Sequence, residues 1–115
     1  KIKRNDTYSI QFTAEEDGTT VGWAFLLIVK NDRHAEPHAV MENLYVEKEH
    51  RGKGIGRKLV EQMIEEAREL GCHKILGQSR YSKPEVHEWY LKVGFKDWGK
   101  NFRMDLKDSE VQQQD

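Results

Sequence analysis

The sequence predicts an α/β (α+β) fold: a mixed, largely antiparallel sheet of five strands with two main helices. Three observations predict it. Apolar residues alternate from Tyr8 to Ala14 and again from His38 to Val46 on either side of a strand-length apolar run, a period near 3.6 follows a glycine-rich turn, and a second helical run opens on Pro84 and stops at Gly94. The element order is strand, strand, strand, helix, strand, helix, strand. The third strand can therefore lie parallel to the fourth across a helical connection.

Each element has its own signal. Tyr8, Ile10, Phe12 and Ala14 alternate with polar residues, as a half-buried strand requires, and Glu15 to Gly18 turn the chain. Val21 to Val29 is rich in β-branched and aromatic residues and bounded by turn signals, so it reads as a central strand paired back on the first. A polar loop, Asn31 to Pro37, leads to a third strand from His38 to Val46. Strict alternation there puts Val40, Glu42, Leu44 and Val46 on one face and Met41 and Tyr45 on the other. Glu42 is the odd member of its face.

After Arg51-Gly52-Lys53-Gly54-Ile55-Gly56, the residues Leu59, Val60, Met63, Ile64, Ala67 and Leu70 mark one face of a helix that Gly71 caps. Lys74 to Gln78 reads as a short strand. The second helix starts near Ser82 or Lys83, with Pro84 in its first turn and Val86, Trp89, Tyr90 and Val93 as its apolar stripe. Phe102, Met104 and Leu106 alternate in a fifth strand, and residues 108–115 are expected to form a disordered tail, leaving 1–107 as a single domain.

Composition bounds the function. Nineteen Lys and Arg against twenty Asp and Glu leave a net charge of −1, so no global field gathers nucleic acid or an anionic membrane, and neither is an expected partner. The longest apolar run, Ala24 to Val29, is strand-sized. The lone Cys72 cannot close an internal disulfide, which favours a reducing, cytoplasmic setting, and five His and one Cys without ligand spacing predict no metal. The chain opens at Lys1 without Met or a signal-like stretch, as a trimmed or processed start would.

The glycine-rich turn carries the chemistry. A strand that hands over to a helix through three glycines on alternate positions exposes main-chain N–H groups beside the positive end of a helix dipole, as a phosphate group requires. Arg51, Lys53 and Arg57 add positive charge at the same place. The plainer alternative is a tight turn with solvated basic residues. Two familiar phosphate motifs do not fit: a P-loop needs Lys and a hydroxyl residue after the last glycine, where Arg57 and Lys58 stand, and G-x-G-x-x-G fails at Arg57 and at Leu59.

Asn43-Leu44-Tyr45-Val46 followed by Arg51-x-x-Gly54-x-Gly56 resembles motif A of the GNAT superfamily of acyl-CoA-dependent N-acetyltransferases, and His87-Glu88-Trp89-Tyr90-Leu91-Lys92-Val93-Gly94-Phe95 is similar to the family's second helix. The resemblance implies acetyl-CoA as cofactor and a small-molecule or peptide amine as acceptor, with direct transfer between them. It implies that the third and fourth strands splay apart around the pantetheine, which Leu44, Tyr45 and Val46 meet with backbone groups. Arg51, Gly52, Lys53, Gly54, Ile55, Gly56 and Arg57 would surround the pyrophosphate.

For catalysis the resemblance points to Tyr90 as the hydrogen-bond donor to the coenzyme sulfur, to a backbone N–H near Leu44 for the carbonyl oxygen, and to Glu42 as base or water-orienting group. A core aromatic is the plainer role for Tyr90, and a carboxylate at the wet end of a strand the plainer role for Glu42. His87 reads as a packing or hydrogen-bonding residue. Only about seven residues precede the first strand, where relatives usually have a strand and two helices. The acceptor side is then open to a protein N-terminus or lysine side chain, or is completed by a second subunit in a homodimer. A catalytically silent coenzyme-binding or regulatory module is the alternative reading.

Overall fold

The computed structural model describes residues 1–79 and 84–107, and its contacts divide the chain into two units, one from Lys1 to Gly77 and a second beginning at Gln78. In the first unit, β1 (Tyr8–Glu16) and β2 (Thr19–Val29) form an antiparallel hairpin. Glu16 pairs with Thr19, and the two residues between them, Asp17 and Gly18, have φ of +50° and +79°. That is the Asp-Gly hairpin turn whose twist matches the strands it joins. Near the turn the register slips between Ala14 and Glu15, so that Val21 is an extra residue on β2. The slip explains why the adjacent residues Val21 and Gly22 are both buried.

Strand β3 (His38–Val46) lies antiparallel to β2 and contains a second bulge. Trp23 pairs with Tyr45 but Phe25 pairs with Glu42, which leaves one residue too many on β3. Asn43 absorbs it with φ of +52°. Asparagine tolerates this left-handed conformation better than most side chains.

The bulge reverses the alternation expected from the sequence. Directly opposed residues share a face, so Met41 sits with Leu26 and Ala39 with Ile28, whereas Val46 sits with Gly22 beyond the bulge. Ala39, Met41, Leu44 and Val46 therefore share one face. His38, Val40, Glu42 and Tyr45 share the other, with Phe25 opposite Glu42 and Trp23 opposite Tyr45. The expectation that Glu42 lies beside Leu44 and Val46 is thus corrected: one inserted residue shifts the parity of everything after it.

Helix α1 (Ile55–Glu69) buries Leu59, Val60, Met63 and Ala67 along a single stripe, against the face that carries the buried Ala24, Leu26, Ile28, Ala39 and Met41. A fully buried Leu or Val contributes roughly 1.5–3 kcal/mol, so this layer accounts for most of the unit's cohesion. Its first residue seats closely because Gly22 has no side chain: a Cβ there would lie 3.1 Å from the Tyr45 carbonyl oxygen and 3.4 Å from the Ile55 methyl. Gly71 ends the helix as expected. With φ of +76°, it allows Cys72 N–H to donate to Ala67 O and its own N–H to Arg68 O, the Schellman arrangement.

Strand β4 (Ile75–Leu76) runs parallel to β3, pairing with Ala39 and Val40, and completes a four-stranded sheet in the order β1-β2-β3-β4. It is shorter than the Lys74–Gln78 segment expected. In the second unit, α2 (Pro84–Val93) begins at its proline and closes at Gly94, where Phe95 N–H donates to Tyr90 O at 3.0 Å. Its expected start at Ser82 or Lys83 falls outside the described residues, as does the tail 108–115.

The fifth strand is absent among the described residues. Phe102, Met104 and Leu106 are 92%, 81% and 86% exposed, and the segment's ion pair is the local one between Arg103 and Asp105. Alternation marks a face that could be buried but supplies no neighbouring strand to bury it.

Replacing Asn43 tests the bulge. Asn43→Val should lower unfolding stability by about 1–2 kcal/mol, the cost of a left-handed residue with a branched side chain, while Asn43→Gly should match or exceed the parent. Urea unfolding midpoints decide, and a valine variant as stable as the parent would contradict the assignment.

Candidate functional site

The site grows from the end of β3. Glu47 N–H donates to Val21 O at 2.8 Å, so Glu47 and Tyr45 turn their peptide groups toward β2. By alternation Val46, and Leu44 beside the bulge, turn theirs toward the opposite edge. On that edge β4 pairs only with Ala39 and Val40, and beyond them no other strand of the unit flanks β3. The parallel pair is therefore short, and the Leu44–Val46 edge is not in a ladder with it.

After a short 3₁₀ turn (Lys48–His50), in which Arg51 N–H reaches Lys48 O at 3.4 Å, the chain enters the glycine turn. Gly52 and Gly54 both have φ of +84°, a conformation in which any other residue is strained. Gly54 is the N-cap of α1, with no side-chain cap and no acidic residue in the helix's first turn. The first bond inside the helix joins Lys58 N–H to Gly54 O at 3.0 Å. Among the described residues, the N–H groups of Gly52 through Gly56 donate to no main-chain carbonyl. A 15-residue helix thus presents an uncapped positive end, flanked by main-chain donors that have no main-chain acceptor among the described residues.

The basic side chains are engaged. Arg51 Nε donates to Val46 O at 2.8 Å, and the guanidinium stands 5.3 Å from the centre of the Tyr45 ring, which itself packs on Trp23 with centroids 4.9 Å apart. Lys53 Nζ lies 3.2 Å from Glu16 Oε2, and His50 Nδ1 lies 3.0 Å from the same oxygen. The Lys53 hydrogen bond, followed by the charges of Lys53 and His50, holds the Glu16 carboxyl below the usual carboxylate range. The two cations that flank Gly52 are anchored in the first unit instead of projecting freely, and Arg57 is also partnered.

Tyr90 belongs to the second unit. It packs between Trp89 and Phe95, with ring centroids at 5.6 and 5.2 Å, and desolvation pushes its hydroxyl above the ordinary phenol value. His38 clusters with His73 and His34, and burial, followed by the charge of Lys74 and those histidines, lowers its pKa. Among the described residues no group of His, Cys, Asp and Glu is arranged to hold a metal ion, and no helix is long and apolar enough to cross a membrane.

The structure brings Leu44 to Gly56 together at one end of the sheet, and places Glu42 on the opposite face from Leu44 and Val46. Sequence reasoning missed three contributors. Asn43 carried a weak signal, as an asparagine inside a strand. Glu16 and His50 carried none, because their link to Lys53 joins positions 37 and three residues away from it.

A short parallel strand pair, a bulged third strand and an uncapped helix reached through a glycine turn define an α+β domain whose third strand hands over directly to the start of its long helix. The model of the acetyltransferase (GNAT) family matches residues 2–95, and the chain belongs to that family. It is 40% identical over 86 residues to the L-amino acid N-acyltransferase MnaT of Escherichia coli (strain K12), covering 71% of this chain and 47% of that protein. It is 30% identical over 98 residues to the aminoglycoside N(6')-acetyltransferase type 1 of Stenotrophomonas maltophilia, covering 81% and 64% respectively. A Trypanosoma brucei acetyltransferase structure superposes with a TM-score of 0.72 at 29% identity, over 87% of this chain and 69% of that one. The chain therefore spans about half to two thirds of the length of these curated relatives.

Burial of Tyr90 has a measurable sign. With its pKa raised in the folded state, the unfolded chain ionises first, so stability is full below pH ~10 and is lost as pH rises through the raised value. Phenolate absorbance should show a step above the ordinary phenol range that Tyr90→Phe removes. A variant with an unchanged titration would contradict the packing.

Proposed function

We propose that the chain carries the coenzyme site of an N-acetyltransferase that moves an acetyl group from acetyl-CoA directly to a primary amine. The observation that carries the reading is the set of unbonded N–H groups from Gly52 to Gly56 at the uncapped start of α1. They fit a diphosphate, which offers several acceptors and the charge a helix N-terminus favours. The family membership supports the same ligand. Main-chain groups of Arg51 to Arg57 hold the diphosphate, and Leu44 and the Val46 N–H offer backbone partners to the extended pantetheine along the edge of β3 that faces away from β2, whereas the Tyr45 peptide groups face β2 and its ring lines the site beside Arg51.

The coenzyme supplies an acyl group activated as a thioester, and the chain's residues do the rest. The Leu44 N–H, which pairs with no residue of β2, is the donor assigned to stabilise charge on the acyl oxygen. Such a donor is worth about 2.7–4 kcal/mol. Glu42 projects to one face of β3 next to that edge, so an amine approaching from this face meets a carboxylate able to take its proton, directly or through water. Tyr90 serves the departing sulfur as a hydrogen-bond donor. Full proton transfer from a phenol to a thiolate is uphill by about 2 kcal/mol from reference values, and burial of Tyr90 raises this, so its role is a strong hydrogen bond.

The acceptor is a small-molecule or peptide amine, and the setting is cytoplasmic. The alternative reading is a catalytically silent coenzyme-binding module.

Calorimetric titration with coenzyme A, followed by thiol-release assays on a panel of amines, separates the two readings. Binding with turnover is expected. Gly54→Ala should weaken coenzyme binding, because alanine resists φ of +84°. Tyr90→Phe should lower kcat by about a hundredfold. Absence of coenzyme binding overturns both readings, and binding without turnover on any amine selects the silent module.

A further inference from the structure

We infer that Glu16 is a positioning residue: it braces the glycine turn through Lys53 and His50, and Lys53 serves the site as a strut instead of as a ligand for the diphosphate. The inference rests on the reading of the turn as the diphosphate cradle and goes beyond it, since that reading uses main-chain groups and gives the Lys53 side chain no role.

The geometry is specific. Glu16 is the last residue of β1, held next to the tight Asp17-Gly18 turn, and so is a fixed point of the sheet. Its carboxylate accepts from Lys53 Nζ at 3.2 and 3.4 Å, one distance to each oxygen. The His50 Nδ1 stands 3.0 Å from Oε2. The same Nδ1 also stands 3.3 Å from Lys53 Nζ, so the ring joins the cluster as donor to the carboxylate or as acceptor from the ammonium. One carboxylate thereby gathers side chains from both ends of the segment that enters the turn, His50 before Gly52 and Lys53 after it.

The need for a brace follows from the glycines. Gly52 and Gly54, on either side of Lys53, have no contact that a Cβ would meet within 4 Å, so no packing of their own fixes them. Two flexible residues around an unpacked position would leave the N–H groups free to disperse. Side chains supply the restraint: Arg51 is tied to Val46 O and the Tyr45 ring on one side of Gly52, and Lys53 to Glu16 on the other. The ligand then meets main chain whose direction is set beforehand, which reduces the ordering cost of binding.

The test is a double-mutant cycle on coenzyme A affinity with Glu16→Gln and Lys53→Gln. Exposed ion pairs contribute little, so each single variant should bind about three- to fivefold more weakly, and the double variant no more weakly than either. In the acetyl-transfer assay, Glu16→Gln should raise KM for acetyl-CoA by the same factor and leave kcat unchanged. Tighter coenzyme binding by Glu16→Gln, with weaker binding by Lys53→Gln, overturns the inference, because Lys53 would then be a phosphate ligand that Glu16 withholds. Additive losses in the cycle overturn it as well. Should the parent chain bind no coenzyme A, the functional reading fails while the brace is still judged without ligand. Faster amide hydrogen exchange at Gly52 to Gly54 in Glu16→Gln supports it, and unchanged exchange overturns it.

Discussion

Strand β3 has two edges, and they are treated differently along its length. One edge is bonded to β2 almost throughout, while the other is paired only at Ala39 and Val40. This asymmetry is the constraint on which the site depends. A strand paired fully on both sides has no main-chain groups left for a ligand. Because β4 stops at Leu76, the later part of β3 has an edge that no strand among the described residues pairs, at the point where the chain leaves the sheet for α1.

The asymmetry is kept by two bulges that act on opposite sides of β2. The extra residue at Val21 turns two consecutive residues into the core and leaves Val21 O to hold Glu47, fixing where β3 ends. The extra residue at Asn43 reverses the faces of β3, sending Val46 to the α1 side and Tyr45 to the side of Trp23. Gly22 then lets the start of α1 sit directly on this junction. The glycine turn is the consequence: the chain must reverse from the end of β3 to the top of α1 in a few residues, and Gly52 and Gly54 supply the positive φ that such a reversal takes.

Much of this could be read from residue patterns, and the parts that could not have physical reasons. The hairpin, the long helix and its Gly71 terminus rest on local signals, namely an Asp-Gly turn, a 3.6-residue stripe and a glycine with φ > 0. The glycine turn was likewise visible as three alternate glycines before a helix. The sidedness of Glu42 was not, because a bulge changes parity without a reliable local signature, and a single asparagine does not announce one. The supposed fifth strand failed because Phe102, Met104 and Leu106 show a period but not a partner. The anchoring of Lys53 was invisible because Glu16 is 37 residues away, and only the folded sheet brings the two together.

Amide chemical shifts on titration with coenzyme A report on the N–H groups themselves. The Gly52 to Gly56 resonances should move furthest, downfield as they gain an anionic acceptor, with Leu44 and Val46 following. Saturation with coenzyme that leaves those resonances in place, while others move, would contradict the reading of the glycine turn as the diphosphate cradle.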